Sequence, residues 1–245
     1  MNEHGVKAPL LEENVPQVDW TKVDHVLLDM DGTLLDLAFD NDFWGHQIHA
    51  HYAALNNLSY DDVVAKFEPI FRSAEGSLNW YSTDHWSEHY EFDIITLSQK
   101  FKAQIRWLGH AESFLIGLRE KGIKTTILTN AHPDIVTLKH SVTGICNYVD
   151  SIISSHEIGY AKEHPLFWEG AFPLTEISRD ELNENRILFF DDSPPVLNAA
   201  IAAGIQYSVM ICAPDSTLAP KMPNTRYAIH SFADIWPQTK AGTSS

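Results

Sequence analysis

Five short runs rich in apolar and β-branched residues recur along this chain, and from the second onward they alternate with helical stretches. That alternation constrains the fold more than any other feature. The runs are Asp24–Leu28, Lys124–Thr129, Ser151–Ser154, Arg186–Phe190 and Tyr207–Ile211. Short continuous apolar runs read as strands buried on both faces. Between them, Phe114, Leu115 and Leu118 share one face of a helix over Glu112–Glu120, which Gly122 closes. Further helices are expected over Pro133–Val142, Pro165–Phe172 and Pro195–Ala203, each with proline in its first turn. This order makes a parallel sheet with helices on both faces. The expected fold class is therefore α/β, with a Rossmann-like parallel sheet.

One stretch breaks the alternation. Residues 37–107 read as nearly all helical, through Trp44, Ile48, Tyr52 and Leu55, then Val63, Phe67, Ile70 and Phe71. Pro69 is expected to bend or break the second of these helices. Thr83–Tyr90 and Ile94–Trp107 read as two more. The expected organisation is a loose leader over 1–20, a core over 21–36 and 108–238, a helical block over 37–107 and a loose tail over 239–245.

Composition bounds the function. Of 245 residues, 44% are apolar and seven are Trp, which suits a folded globular chain. Lys+Arg number 17 against 33 Asp+Glu, a net charge of -16. Nucleic acid is therefore not an expected partner, because it requires a basic face. A metal site stays open, because divalent cations bind carboxylates. Cys146 and Cys212 form no CxxC pair and no disulfide framework. No apolar run approaches the ~18 residues of a membrane span, and the first twenty residues lack the apolar stretch of a signal peptide. The expectation is a soluble, cytoplasmic protein with no membrane partner.

Sites on such sheets lie beyond the carboxyl ends of the strands, and the residues there bear chemistry. Asp29 and Asp31 close the first run and leave the sheet on one side; Gly32 lets the backbone turn sharply. Acids and glycine also form ordinary turns, so this string alone decides nothing. The glycine is fourth where a calcium loop has it sixth, which makes calcium a poor fit. The fourth run closes on Asp191 and Asp192. Two acid pairs at one sheet edge repel unless a cation sits among them, and carboxylates, a carbonyl and waters suit Mg2+. Thr129 and Asn130 end the second run with a hydroxyl, an amide and N–H groups at a helix start, which suits an anion. Lys162 follows the third run and brings a fixed positive charge.

Together, DMDGT, LTN, GYAK and FFDDS resemble, in order, the four motifs of the haloacid dehalogenase superfamily, over roughly residues 22–215. The longer strings LLDMDGTLLDLAFDNDFW, LNWYSTDHWSE and LTNAHP resemble its bacterial GMP/IMP nucleotidase group. The resemblance implies a Rossmann-like core with residues 37–107 as an all-helical type 1 cap. It implies a Mg2+-dependent phosphatase, because the metal-free dehalogenases lack the second acid of the first motif. By the same resemblance Asp29 is the nucleophile, forming an aspartyl-phosphate, and Asp31 is the general acid and base. Mg2+ is held by Asp29, the Asp31 carbonyl and Asp192, with Asp191 in support. Thr129, Asn130, Lys162 and Gly32 hold the phosphoryl group, Thr129 and Lys162 as part of the catalytic set. One departure stands out: Glu163 follows the lysine where the family often has proline.

The helical block has to choose the substrate. Asn41, Trp44, Asn79, Trp80 and Tyr81 are the candidates there, with His132 from the core, although an aromatic at helical spacing is more often core. His132 equally suits capping the helix that follows it. Three functions remain in play. The first is a purine 5′-nucleotidase that takes GMP or IMP to nucleoside and phosphate. The second is a phosphatase for a sugar phosphate or another small phosphomonoester. The third is a non-catalytic protein that binds phosphometabolites.

Overall fold

In the computed structural model, which describes residues 14–236, the first run forms β1 (His25–Leu28). It is followed by β2 (Lys124–Thr129), β3 (Ser151–Ser154), β4 (Ile187–Asp191), β5 (Tyr207–Ile211) and β6 (Tyr227–Ile229). The sheet runs β3-β2-β1-β4-β5-β6, parallel throughout. Sequence periodicity anticipates five of the six strands. The three residues of β6 are too few to show a period, and they join the sheet by pairing with β5, from Val209 with Tyr227 to Ile211 with Ile229.

β1 lies at the centre, with Leu28 level with both Ile127 and Phe190. This register brings the carboxyl ends of β1, β2 and β4 side by side. Alternate residues of β1 face opposite layers. Val26 and Leu28 join one apolar cluster with Phe114 of α6 (Ala111–Glu120); Leu27 joins the other with Phe167 and Trp168. The remaining helices of the sheet layers are α7 (Pro133–Thr143), α8 (Ser155–Ile158), α9 (Pro165–Thr175), α10 (Arg179–Asn183) and α11 (Pro194–Ala202).

Between β1 and α6 stand α1 (Ala38–Asp42), α2 (Ile48–Asn56), α3 (Tyr60–Ala74), α4 (Thr83–Tyr90) and α5 (Ile94–Ser98). Where the chain leaves and re-enters the sheet layer it pairs with itself. The Asp36 N–H donates to Arg106 O at 2.9 Å, and that of Leu108 to Leu34 O at 2.9 Å. The helical insertion shares the first apolar cluster, through Phe39, Phe43, Phe67, Trp86 and Tyr90.

Three expectations change. α3 runs unbroken through Pro69. Pro69 and Ala65 are both exposed, so water reaches the carbonyl that proline leaves without a donor, while buried Val63 and Phe67 hold the helix down. The helix expected over Ile94–Trp107 stops early: α5 passes into a 3-10 turn, Gln99–Gln104, and Trp107 pairs with Leu35 instead. Residues 14–20 are not loose. Trp20 packs edge-on against Phe114 and Trp236, ring centroids 5.9 and 4.7 Å apart, which takes a large apolar ring out of water. The rest of the expected leader and the tail at 239–245 lie outside the described residues.

Candidate active site

Lys162 Nζ lies 2.5 Å from Asp29 Oδ1 and 2.7 Å from Asp191 Oδ2, and all three residues are buried. Asp29 continues β1, and its N–H donates to Phe190 O at 2.8 Å, which fixes it beside β4. The backbone of Lys162 is held at both ends. Its N–H donates to Asn130 Oδ1 at 2.9 Å, and its carbonyl accepts from Trp168 Nε1 at 2.9 Å. Asp191 Oδ1 accepts the Ser193 N–H at 2.8 Å. Asp192 Oδ2 lies 2.8 Å from Lys221 Nζ.

Carboxylate oxygens of Asp29, Asp191 and Asp192 lie within 4.8 Å of one another. Burial pushes the Asp29 carboxyl well above the ordinary range; Lys162 opposes this, and the neighbouring acids add to it. Burial likewise pushes Asp191 up to about 6 against the pull of Lys162. Burial disfavours the charge on Lys162 too, but Asp191 and Asp29 outweigh it and hold the ammonium above its usual range. Crowded, buried carboxylates with hard oxygen donors are what a divalent cation relieves, so the donor set fits Mg2+. Both Asp191 oxygens already accept hydrogen bonds, from Lys162 and Ser193. Asp29 and Asp192 therefore have the oxygens best placed for an ion.

Gly32 has a different place from the one expected. Its N–H donates to Leu35 O at 2.7 Å, so it is not free for a phosphate. Its φ is +84°, and a Cβ there would lie 2.9 Å from Asp192 Cγ. Gly32 thus makes room for Asp192. Asn130 also differs in part. Its side chain accepts from Lys162 N and donates to Glu163 Oε2 at 3.0 Å, which ties the lysine loop to β2. Thr129 is buried at the floor, and its Oγ1 accepts the Ala131 N–H at 3.0 Å.

Above this floor opens a cavity of about 560 Å³ between the sheet edge and the helical insertion. Asp29, Asp31, Thr129, Asn130, Lys162, Asp191 and Asp192 line it from below. Of the specificity candidates, Asn41, Trp44, Trp80, Tyr81 and His132 line it as well. Asn79 does not: it is an exposed residue of the 3-10 turn Leu78–Tyr81. Asn41 Nδ2 donates to Asp215 Oδ2 at 2.6 Å. His132 caps α7, and its Nδ1 lies 2.9 Å from Thr83 Oγ1 of α4. Phe43 and Trp86 are fully buried core.

Several residues here carry no sequence motif. Lys139 of α7, fully buried, contacts Asp31 Oδ1 at 2.5 Å and Asp40 Oδ1 at 2.7 Å. Burial works against its charge, but Asp31 and Asp40 outweigh it and hold the ammonium above its usual range. Burial pushes Asp40 up to about 7. A readable signal existed: Lys139 sits in the stripe Ile135, Leu138, Lys139, where an apolar residue belongs. Glu163 joins the Tyr81 hydroxyl to Asn130. His49, Glu68 and Phe71 also line the cavity.

This fold, with acids at two strand ends and a buried lysine between them, defines a haloacid dehalogenase-like hydrolase. The chain belongs to that family, whose sequence model matches residues 23–204. It is 33% identical over 220 residues to the GMP/IMP nucleotidase YrfG of Escherichia coli (strain K12), covering 90% of this chain and 97% of that protein. Its fold is similar to that of a HAD phosphatase from Thermococcus onnurineus. The TM-score is 0.69 at 19% identity, over 86% of this chain and 95% of the other. It is also similar to a HAD family enzyme from Bacteroides thetaiotaomicron solved with magnesium and inorganic phosphate. Here the TM-score is 0.53 at 16% identity, over 77% of this chain and 93% of the other. Among the described residues, no helix is long and apolar enough to cross a membrane.

Proposed function

We propose that this protein is a Mg2+-dependent phosphomonoesterase of the cytoplasm, a 5′-nucleotidase that hydrolyses GMP and IMP to nucleoside and phosphate. One observation carries the reading. The 560 Å³ cavity has the Asp29, Lys162 and Thr129 cluster as its floor and Trp44, Phe71 and Trp80 in its wall. A phosphate suits the floor, and a purine ring suits an aromatic wall. The 33% identity to a GMP/IMP nucleotidase supports the same substrate class. The helical insertion then acts as the cap, which encloses the substrate and excludes water.

The chemistry follows from the residues. Asp29 attacks phosphorus in line, the nucleoside oxygen leaves, and an aspartyl-phosphate remains. Asp31, lining the same cavity, gives its proton to the leaving oxygen. It then takes a proton from the water that hydrolyses the intermediate. Lys162 and the Thr129 hydroxyl hold and neutralise the phosphoryl oxygens. Asp29, Asp192 and the Asp31 carbonyl would hold Mg2+, with Asp191 fixing Lys162 beside them. A bound Mg2+ supplies positive charge to the phosphoryl oxygens.

Phosphate release with Mg2+ over a panel of nucleoside monophosphates and sugar phosphates tests the reading. GMP and IMP should have the highest kcat/KM. A sugar phosphate in first place would transfer the site to smaller esters; hydrolysis of none would leave a binding protein.

A further inference from the structure

We propose that Lys139 and Asp40 are positioning residues that confine the exchangeable proton of Asp31 to one oxygen. The inference rests on the acid and base role assigned to Asp31 above. An ammonium has three N–H donors and no acceptor. On Lys139 all three have partners: Asp31 Oδ1 at 2.5 Å, Asp40 Oδ1 at 2.7 Å and Asp40 Oδ2 at 2.8 Å. Lys139 is fully buried and packs beside the Phe39 ring, so the group cannot relax into water.

Asp31 Oδ1 faces a donor that accepts nothing, so a proton cannot sit there. Oδ2 has no protein partner among the described residues, and Asp31 lines the cavity. The proton is therefore restricted to Oδ2, the oxygen left for substrate and water. As an Asp29 oxygen bonds to phosphorus and the P–O bond to the nucleoside breaks, the proton passes from Oδ2 to the leaving oxygen. As a water oxygen bonds to phosphorus and the bond from phosphorus to Asp29 breaks, a proton returns from that water to Oδ2, and Asp29 and Asp31 both end as they began. An unanchored carboxylate would present either oxygen in many orientations, and general catalysis depends on the productive one.

Asp40 supplies the other half of the arrangement. It lies on α1, the first helix of the insertion, whereas Lys139 lies on α7 against the sheet. Both Asp40 oxygens engage Lys139, which leaves the ammonium a single donor for Asp31. The orientation of Asp31 thus depends on α1 keeping Asp40 beside Lys139.

Two variants, Lys139→Met and Asp40→Asn, measured on IMP and on p-nitrophenyl phosphate, test this. Nitrophenolate leaves without a proton; a nucleoside alkoxide does not. The ratio kcat/KM reports the steps through departure of the leaving group. In Lys139→Met, kcat/KM for IMP should fall about 100-fold, the loss of a general acid, while that for p-nitrophenyl phosphate falls less than about 5-fold. Asp40→Asn should show the same split at smaller amplitude, and it preserves the shape of the site if Lys139→Met fails to fold, which circular dichroism reports. Equal losses on the two esters would make the cluster merely structural and overturn the proposal, as would an unchanged rate on IMP. A wild-type enzyme that cleaves p-nitrophenyl phosphate but neither IMP nor GMP sinks the nucleotidase reading instead. The comparison then runs on the alkyl phosphate that the panel identifies, with the same two outcomes.

Discussion

The Tyr81 hydroxyl donates to Glu163 Oε1 at 2.8 Å, joining the helical insertion to the loop that carries Lys162, and both residues line the cavity. The other Glu163 oxygen accepts from Asn130 Nδ2 at 3.0 Å. Burial and the neighbouring Glu163 hold the Tyr81 phenol well above its usual range, so it remains a donor. The glutamate that departs from the family's proline is therefore the residue that joins insertion, lysine loop and β2. Tyr81→Phe removes one hydrogen bond to a charged group, about 1.5–3 kcal/mol where it is fully made. Nucleotide KM should rise about 10-fold and Tm fall by several degrees while kcat changes little. A matched fall in kcat with KM unchanged would place Tyr81 in the chemical step instead.

Asp29→Asn and Asp31→Asn should each abolish phosphate release from nucleotides without unfolding the protein. Asp29 sits in a crowd of acids whose burial is unfavourable, so an amide there relieves repulsion. The Tm of Asp29→Asn should lie within about 3 °C of the wild type or above it. Phosphate release retained in Asp29→Asn contradicts a nucleophilic role outright.

The strands and the acids that close them were legible because both signals are local. A run such as Ile187–Phe190 states its own burial, and Asp191 and Asp192 end it within the same few residues. That Asp29 and Lys162 touch was legible through topology, since a parallel sheet brings strand ends together. The Lys139–Asp40 contact was not, because it joins residues 99 apart that lie on two separate helices, α1 and α7. Periodicity also failed to sort the aromatics. Trp44 and Trp86 have the same helical logic, yet one lines the cavity and the other is buried core. The difference lies in how the helices rotate against each other, which no single helix encodes. Gly32 was legible as a turn, but its relation to Asp192 was not.

That relation can be tested. A Cβ on Gly32 would meet Asp192 Cγ at 2.9 Å and Pro214 Cβ at 3.0 Å, at a φ of +84° that side chains disfavour. The backbone term alone costs about 1–2 kcal/mol. Gly32→Ala should lower Tm by about 2–8 °C in a chain of this size. It should also displace Asp192, raising the Mg2+ concentration for half-maximal phosphate release about 10-fold or more. Chelation with EDTA should stop the wild-type enzyme, and added Mg2+ should restore it. Unchanged Mg2+ dependence in Gly32→Ala would show that Asp192 does not serve the ion.

His25 opens the central strand, buried, with Nε2 2.9 Å from Thr126 Oγ1. Burial, with Lys124 adding to it, pushes the imidazole down to about 4 from an ordinary 6.5. From about one unit above pH 6.5 the ring is neutral in both folded and unfolded chains, and its contribution is complete. As pH falls toward 4, the unfolded chain takes up a proton that the folded chain refuses, so stability is lost. Between pH 7.5 and 5 this amounts to about 2 kcal/mol. Below 4 the folded ring also protonates, and the loss from this group ends. His25→Gln removes the titration while keeping a polar partner for Thr126. Urea unfolding at the two pH values should show the wild type losing about 2 kcal/mol more than the variant. Equal losses in the two proteins would mean that the His25 ring protonates as readily inside the sheet as outside it.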